Sequence, residues 1–231
     1  VIINMTPASI PGHSRQEHSP YRHLNCCGKT TITIDGAVIT GSLAFNAIDA
    51  GATIIIRNTQ VAGAGIGFTQ ALTNCAVTLS TVFVVSTGLG VSFFGLTSTA
   101  VAVSGSTFSS AHRGAFFPAI DAASSVALSG STFASTANNG IRFDGDIAGD
   151  VAVTDCQISN TVAASCFILK GITTAPVALT RVAISALNSG VASNGDMVSA
   201  SLTISGGSLA TGSYAVRVAG AVDAASTVSV A

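Results

Sequence analysis

Residues 100–133 read AVAVSGSTFSSAHRGAFFPAIDAASSVALSGSTF, and this stretch contains one nine-residue pattern twice. The pattern is AVAVSGSTF at 100–108 and SVALSGSTF at 125–133. In each copy two apolar residues flank one small residue, a Ser-Gly pair follows, and a Phe comes three residues after the Ser-Gly. Such alternation is typical of a short strand with one buried face, and Ser-Gly is typical of a turn. The stretch therefore predicts a strand, a turn and a second strand, repeated.

The same pattern extends in both directions and defines eight coils of 22–26 residues. The coils start at Thr31, Thr53, Ala76, Ala100, Ser125, Asp150, Pro176 and Ser201. In all eight, apolar residues stand one, three and eight residues after the start, as Val101, Val103 and Phe108 do. Most coils carry a further apolar pair that predicts a third strand: Leu43/Phe45, Ile66/Phe68, Val91/Phe93, Ile141/Phe143, Cys166/Ile168 and Val216/Val218. Coils that lengthen do so mainly between the second and third strands, where a loop can grow without disturbing the core.

A repeat of this kind predicts an all-β solenoid, because each unit can bury its apolar face only against its neighbours. We expect residues 31–231 to form a single parallel β-helix of about eight coils with three short strands each. Residues 1–30 differ in composition and hold three of the five prolines, so we expect an N-terminal capping or docking segment there. Val228 and Val230 begin a ninth coil, and the open strand edge predicts a continuing chain, a partner subunit or another protein against it.

Coils of this length, with three strands and no hexapeptide rhythm, resemble the right-handed parallel β-helix superfamily, the pectate-lyase-like solenoids. The resemblance covers Thr31 to Ala231 and rests on the repeat, without a signature motif. It implies right-handed winding, in line with the general bias of parallel crossovers. It also requires an enzyme hypothesis, because the superfamily includes polysaccharide lyases, galacturonases, pectin esterases and phage tailspike hydrolases. Their active sites commonly lie on the outer face of stacked strands and use grouped Asp, Lys or Arg.

The outward residues of the first strand do not offer this chemistry, because methyl groups and hydroxyls cannot do general acid–base work. They are Thr33, Ile55, Thr78, Ala102, Ala127, Ala152, Ala178 and Thr203. The main polar concentration lies at the third strand of the fifth coil, where Arg142 and Asp144 flank an inward-facing Phe143. Asp146 follows, and Asp121 lies near the corresponding place one coil earlier. Two such carboxylates could act as acid and base on a glycosidic bond. Alternatively, the aspartates accept backbone N–H bonds and cap turns. We predict no catalytic residue, with Asp144, Asp146, Asp121 and Arg142 as the weak candidates.

No metal or cofactor site is expected. His13, His18 and His23 are spaced by five, with Cys26 and Cys27 nearby, which raises a metal-binding hypothesis. Five-residue spacing places no pair on one helix face and matches no common ligand pattern. A phosphate-binding glycine loop with its Lys is also missing from the sequence.

Composition argues against two further classes of partner. The 231 residues have a net charge of −1 and only 8% charged residues, so nucleic-acid binding is not expected. Residues 58–112 contain no charged residue, yet Gly, Ser, Thr, Asn and Gln interrupt them too often for a membrane span.

Cys156 and Cys166 fall at predicted interior positions, where a free thiol behaves as a small hydrophobe.

Low charge, small outward residues and an open edge favour a non-enzymatic structural or adhesive solenoid within a larger assembly. A virion component, a surface filament or an extracellular structure would fit, which predicts an extracellular, virion or cell-surface location. The expected partners are other protein subunits, at the C-terminal edge and on the uncharged faces. The alternative is a carbohydrate-active or carbohydrate-binding β-helix, although the chain has no Trp and two Tyr for sugar rings to stack on. Ice binding fits less well, because Thr recurs too irregularly in the outward row.

Overall fold

The computed structural model describes the backbone of residues 2–6 and 21–26 and both backbone and side chains of residues 30–231. These residues form strands and turns, without a helix among them. The first sixteen strands are β1 (Ile2–Thr6), β2 (Tyr21–Cys26), β3 (Thr31–Asp35), β4 (Val38–Thr40), β5 (Ser42–Ile48), β6 (Thr53–Arg57), β7 (Gln60–Gly63), β8 (Ile66–Phe68), β9 (Ala71–Thr73), β10 (Ala76–Ser80), β11 (Phe83–Ser86), β12 (Leu89–Ser92), β13 (Gly95–Thr97), β14 (Ala100–Ser104), β15 (Thr107–Ser110) and β16 (Arg113–Phe117). The others are β17 (Ser125–Ser129), β18 (Thr132–Ser135), β19 (Ile141–Phe143), β20 (Asp146–Ile147), β21 (Asp150–Thr154), β22 (Gln157–Asn160), β23 (Phe167–Leu169), β24 (Gly171–Thr173), β25 (Pro176–Thr180), β26 (Ala183–Ala186), β27 (Val191–Ser193), β28 (Met197–Val198), β29 (Ser201–Ser205), β30 (Ser208–Thr211), β31 (Val216–Val218) and β32 (Thr227–Val230).

Three long sheets run along the molecule, and each coil gives one strand to each sheet. The strand order is β1-β3-β6-β10-β14-β17-β21-β25-β29-β32 in the first sheet and β4-β7-β11-β15-β18-β22-β26-β30 in the second. In the third sheet it is β2-β5-β8-β12-β16-β19-β23-β27-β31. The coils pair in parallel throughout, as β10 and β14 do. The protein is therefore a parallel β-solenoid of about eight turns, which confirms the predicted all-β fold with three strands per coil.

In-register pairing stacks equivalent residues of successive coils above one another. Val101 pairs with Val126, and Val126 pairs with Val151, and all three side chains are buried. The apolar residues one and three places after each coil start are buried in all eight coils, as predicted. At the eighth place Ile39 and Leu209 are only partly buried, because they lie on β4 and β30, the two edge strands of the second sheet.

The third sheet contributes a stack of phenylalanine rings to the core. Phe45, Phe68, Phe93, Phe117 and Phe143 lie one above another, with ring centroids 4.8 to 5.1 Å apart and planes within 13° of parallel. All five rings are buried. The stack ends at the sixth coil, where Phe167 is tilted by 47° against Phe143.

The predicted third-strand pair of the sixth coil, Cys166 and Ile168, is wrong by one residue, although Cys166 itself is buried just before the strand. Phe167 pairs with Ile141 of the coil before, and Phe167 and Leu169 are the buried residues of β23. Ile168 lies beside Arg142 on the outer face, half-buried. The reason is the connection from the second to the third strand, which comprises residues 136–140 in the fifth coil and 161–166 in the sixth. That extra residue shifts the register.

A fourth, shorter ladder, which the sequence pattern did not predict, closes each coil from the second onward. It includes β9 and β13, then β20, β24 and β28, with isolated bridges at Ile120 and Val222. Its inward residues Leu72, Leu96, Ile120, Ile147, Ile172 and Met197 are all buried. They stand three to five residues before the next coil start, so the signal was present in the sequence.

The turn from the first to the second strand places one residue of every coil in the left-handed backbone region. These residues are Gly36, Asn58, Thr81, Gly105, Gly130, Asp155, Arg181 and Gly206, with φ between 50° and 64°. Glycine tolerates this region freely, whereas a β-branched residue there is strained. Thr81, with φ of 54°, therefore carries backbone strain.

Replacing Thr81 by Gly is expected to raise the free energy of unfolding by about 1 kcal/mol. Gly relieves backbone strain of about 1–2 kcal/mol, and its greater freedom in the unfolded chain offsets part of this gain. The reciprocal variant Gly105→Thr is the matched control. A Cβ at Gly105 would meet nothing within 4 Å, so its expected loss of similar size is conformational. Urea denaturation measures both, and a Thr81→Gly protein less stable than the wild type would contradict the strain.

The two N-terminal strands add to the ends of two sheets. β1 pairs antiparallel to β3, and β2 pairs parallel to β5. A separate capping or docking role for residues 1–30 stays a prediction. The metal hypothesis there concerns side chains outside the described ones, those of His13, His18, His23, Cys26 and Cys27.

At the other end, β32 pairs with β29 and begins the predicted ninth coil. Val228 lies beside Leu202 and Val230 beside Ile204, so both continue inward-facing columns. Their side chains are 42% and 57% exposed, because no described coil covers them.

Candidate functional site

The polar cluster predicted on the fifth coil is formed only in part. Arg142 and Asp144 project outward on either side of the buried Phe143, and Arg142 Nε donates to Asp144 Oδ1 over 3.0 Å. Asp146 begins β20, is exposed, and pairs with Gly171 of the next coil. Asp144 is thus held in an ion pair with Arg142.

The carboxylate of Asp121 caps a turn. It accepts hydrogen bonds from the backbone N–H of Ser98 over 3.0 and 3.1 Å and from the hydroxyl of Ser124. The hydrogen bond from Ser124, aided by those from the backbone, holds the pKa of Asp121 below its usual range. Asp223 has the same arrangement with Ser199 and Ser226, and its pKa is lowered for the same reason.

A general acid in glycoside hydrolysis needs a raised pKa so that it stays protonated. The aspartates with a shifted pKa, Asp35, Asp121, Asp155 and Asp223, are all shifted downward. Hydrogen bonds from Asn58, Ser124, Arg181 and Ser226, respectively, are the main causes. These four groups are therefore suited to accepting hydrogen bonds, and a catalytic role for Asp144, Asp146, Asp121 or Arg142 stays a prediction.

The Asp121 cap makes stability depend on pH. Because the pKa of Asp121 is lower in the folded chain, its stabilising effect is complete above the ordinary carboxyl range and disappears as the pH falls through the folded value. Replacing Asp121 by Ala should lower the free energy of unfolding by about 1 kcal/mol at pH 7, less than is usual for a hydrogen bond to a charged group because Asp121 is only partly buried. Urea denaturation at pH 7 and at pH 2 should show this difference shrinking in acid. An equal loss at both pH values would contradict the cap.

Arg113 and Phe116 form a second outward feature, next to the first. The guanidinium carbon of Arg113 lies 5.1 Å from the centroid of the Phe116 ring, a cation–π contact. Partial burial and the nearby charge of Arg142 lower the pKa of Arg113. Phe116 pairs with Arg142 of the next coil, so the two features share one face of the third sheet.

The outer face of the first sheet carries mostly small side chains from its third coil onward. The outward row predicted from the sequence is in register from Thr33 to Thr203. Beside it, Asp35 and Arg57 form an exposed ion pair with Nε and Oδ2 separated by 2.8 Å. From the third coil to the fifth this face carries only Ala, Ser and Thr. These residues provide no acid, base or nucleophile activated by a neighbour.

The outer face of the second sheet is apolar near its N-terminal end. Val38, Ala62, Phe83 and Val85 project outward from β4, β7 and β11, and we call them the apolar side face. Two polar residues, Gln60 between Val38 and Phe83 and Thr40 beside Ala62, share this face. The side chains of Val38, Phe83 and Val85 are 65%, 48% and 49% exposed. Ala62, Phe83 and Val85 lie within residues 58–112, the stretch without a charged residue.

The cysteines of the repeat are interior. Cys75, Cys156 and Cys166 are free and buried. Burial raises the pKa of the Cys166 thiol to about 12, so this thiol stays protonated and is a poor nucleophile at neutral pH. Burial also raises the pKa of the Cys156 thiol. The interior positions predicted for Cys156 and Cys166 are confirmed.

Two other kinds of site are not found among the described residues. No group of three or more His, Cys, Asp and Glu side chains there is arranged to hold a metal ion. The described part of the chain also has no helix long and apolar enough to cross a membrane. No protein-family model matches the chain, and no curated protein or solved structure matches it significantly.

Proposed function

We propose that this chain is a non-enzymatic structural or adhesive β-solenoid, one module of a larger assembly whose partners are protein subunits. The observation that carries the proposal is the apolar side face, where Phe83 and Val85 are about half exposed and have no charged residue near them in sequence. Neighbouring exposed apolar side chains such as Phe83, Val85 and Ala62 are typical of a protein–protein contact. An extracellular, virion or cell-surface location belongs to the same proposal.

The exposed edge of the last described coil is a second support. Val228 and Val230 continue buried columns but are open to solvent, and the backbone groups of β32 on that side are available for pairing. A strand edge of this kind accepts a further strand readily. A further coil of the chain or a partner subunit would both bury these side chains.

Light scattering on the purified chain tests the proposal. Wild-type protein is expected to associate with increasing concentration, and the double variant Phe83→Ser, Val85→Ser should be closer to a monomer. The matched control is Thr107→Ala, Ser109→Ala, because these residues are the neighbours of Phe83 and Val85 in the next coil. A monodisperse monomer at every concentration, or equal behaviour of both double variants, would count against the proposal.

A glycan-binding β-helix is the second candidate, and one observation favours it. Phe94 is 68% exposed and directly follows the stacked Phe93, as Asp144 follows the stacked Phe143. Both therefore lie on the side of the third sheet that carries Arg142, just past the ends of β12 and β19 and two coils apart, with Pro118 at the equivalent place between them. An aromatic ring beside charged hydrogen-bonding groups suits a sugar. Membership of the pectate-lyase-like superfamily with right-handed winding, as a non-catalytic structural or adhesive member, belongs to the first proposal.

Glycan-array binding by the wild type and by Phe94→Ala separates the two functions. Binding that is lost in the variant supports the second candidate. A wild type that binds no glycan, while still associating through the apolar side face, supports the first.

A further inference from the structure

Three buried polar side chains in one corner of the solenoid have atoms without a hydrogen-bond partner among the described residues. The atoms are Asn139 Oδ1, Asn160 Oδ1 and Ser189 Oγ. The residues are 1%, 5% and 0% exposed. All three lie at the turn between the second and third strands, in the fifth, sixth and seventh coils, and we call them the buried polar corner.

The orientation of both amides is fixed by what their nitrogens contact. Asn139 Nδ2 donates to the backbone oxygen of Ser165 over 2.6 Å, and Asn160 Nδ2 donates to that of Ala164 over 2.8 Å. A backbone oxygen only accepts, so the nitrogen must face it and the amide oxygen must face away. The unpaired atom of each amide is therefore its oxygen, which needs a donor.

No neighbouring coil supplies such a donor to Asn160, and the donor next to Asn139, Arg113 Nε in the coil before, is itself buried and without a partner among the described residues. Asn160 continues a column of inward-facing hydroxyls, Ser86, Ser110 and Ser135, each of which donates to a backbone oxygen. In the next coil the same place is Ala186, which has no polar side-chain atom. The column of donors thus stops directly above Asn160.

We propose that the buried polar corner binds ordered internal water, which donates to the amide oxygens of Asn139 and Asn160 and accepts from the hydroxyl of Ser189. Coils are about 4.8 Å apart, so Asn139 and Ser189 are separated by about 10 Å. One water with hydrogen bonds of about 2.9 Å cannot bridge that distance, so the corner holds at least two. Buried waters typically make about three hydrogen bonds to polar groups that would otherwise be unpaired.

A crystal structure at about 1.5 Å resolution tests the proposal directly. We expect water density within about 2.7–3.2 Å of each of the three oxygens. Two results would overturn the proposal. In one, the density is absent or the side chains rotate to pair with protein groups. In the other, crystals soaked in rubidium chloride give an anomalous peak there, which would identify a cation.

Substitution of Ser189 by Ala tests the same idea in solution through the sign of its effect. In a hydrated corner the variant removes a partner of a bound water, and Tm should fall by about 2–4 °C, the shift typical of one lost interaction in a chain of this size. In a dry corner the variant removes an unpaired buried hydroxyl, and Tm should rise. A rise would overturn the proposal.

Ser131→Ala is the matched control. Ser131 is equally buried, but its hydroxyl donates to the Ser129 oxygen and accepts from the Ser106 N–H. Its Tm should fall whether or not the corner is hydrated. The corner does not touch the apolar side face, so this proposal stands or falls independently of the proposed function.

Discussion

Replacing Phe117 by Ala is expected to lower the free energy of unfolding by about 3–5 kcal/mol, the range for deleting a buried aromatic side chain. Phe117 is fully buried and lies between Phe93 and Phe143, with centroids at 5.1 and 4.9 Å. Its removal leaves a cavity in the middle of the ring stack, and both neighbouring rings lose a stacking partner. Urea denaturation followed by circular dichroism measures the loss.

Two further variants make the Phe117 result interpretable. Phe94→Ala removes the same side chain from a site 68% exposed, and its effect should stay within about 0.5 kcal/mol. Phe117→Leu should lose less than about 1.5 kcal/mol, since Leu169 already follows Phe143 in this column. If Phe117→Ala and Phe94→Ala lower the free energy of unfolding equally, the ring stack does not stabilise the core as described.

Gly114→Ala has the second largest expected effect, a loss of about 1–3 kcal/mol from overpacking. A Cβ built on Gly114 would lie 2.6 Å from the backbone oxygen of Gly140 and 2.9 Å from the Cβ of Phe133. Neither atom belongs to the movable end of a side chain, so the coils themselves must separate. Gly65, Gly90, Gly140 and Gly190 occupy equivalent places, where the corner brings neighbouring coils close together.

Gly67→Ala is the matched control for Gly114→Ala. Gly67 lies on the outer side of the same sheet, and a Cβ there would meet only Ser92 Oγ, at 3.6 Å. We expect no loss, or a gain of about 0.4–1 kcal/mol from reduced freedom of the unfolded chain. A Gly114→Ala protein as stable as Gly67→Ala would show that the coils are less tightly spaced than described. Thermal and urea denaturation give the same ranking if unfolding is cooperative.

Most of the solenoid could be predicted from the sequence because its core residues are apolar and recur at fixed offsets from each coil start. Val101, Val126 and Val151 fall into register for that reason. The error at Cys166 and Ile168 arose where the pattern is locally ambiguous. Residues 166–169 are all apolar, so a one-residue extension of the preceding loop changes which of them face inward, and hydrophobicity alone cannot locate that extension.

The polar sites were less predictable, because their roles depend on contacts between coils. Arg142 and Asp144 share an outer face as the alternation of β19 predicts. The capping role of Asp121 was recognised only as an alternative, since its partner Ser98 is 23 residues away. The buried polar corner gave no sequence signal, because Asn and Ser next to a turn are normally solvent-exposed.

The register between coils also limits how such a chain can change size. Every internal coil presents matching columns to both neighbours, as β10 does to β6 and β14. Duplication or deletion of one whole coil would leave compatible surfaces on either side of the junction. The rod can therefore vary in length by steps of about 4.8 Å while its cross-section stays constant.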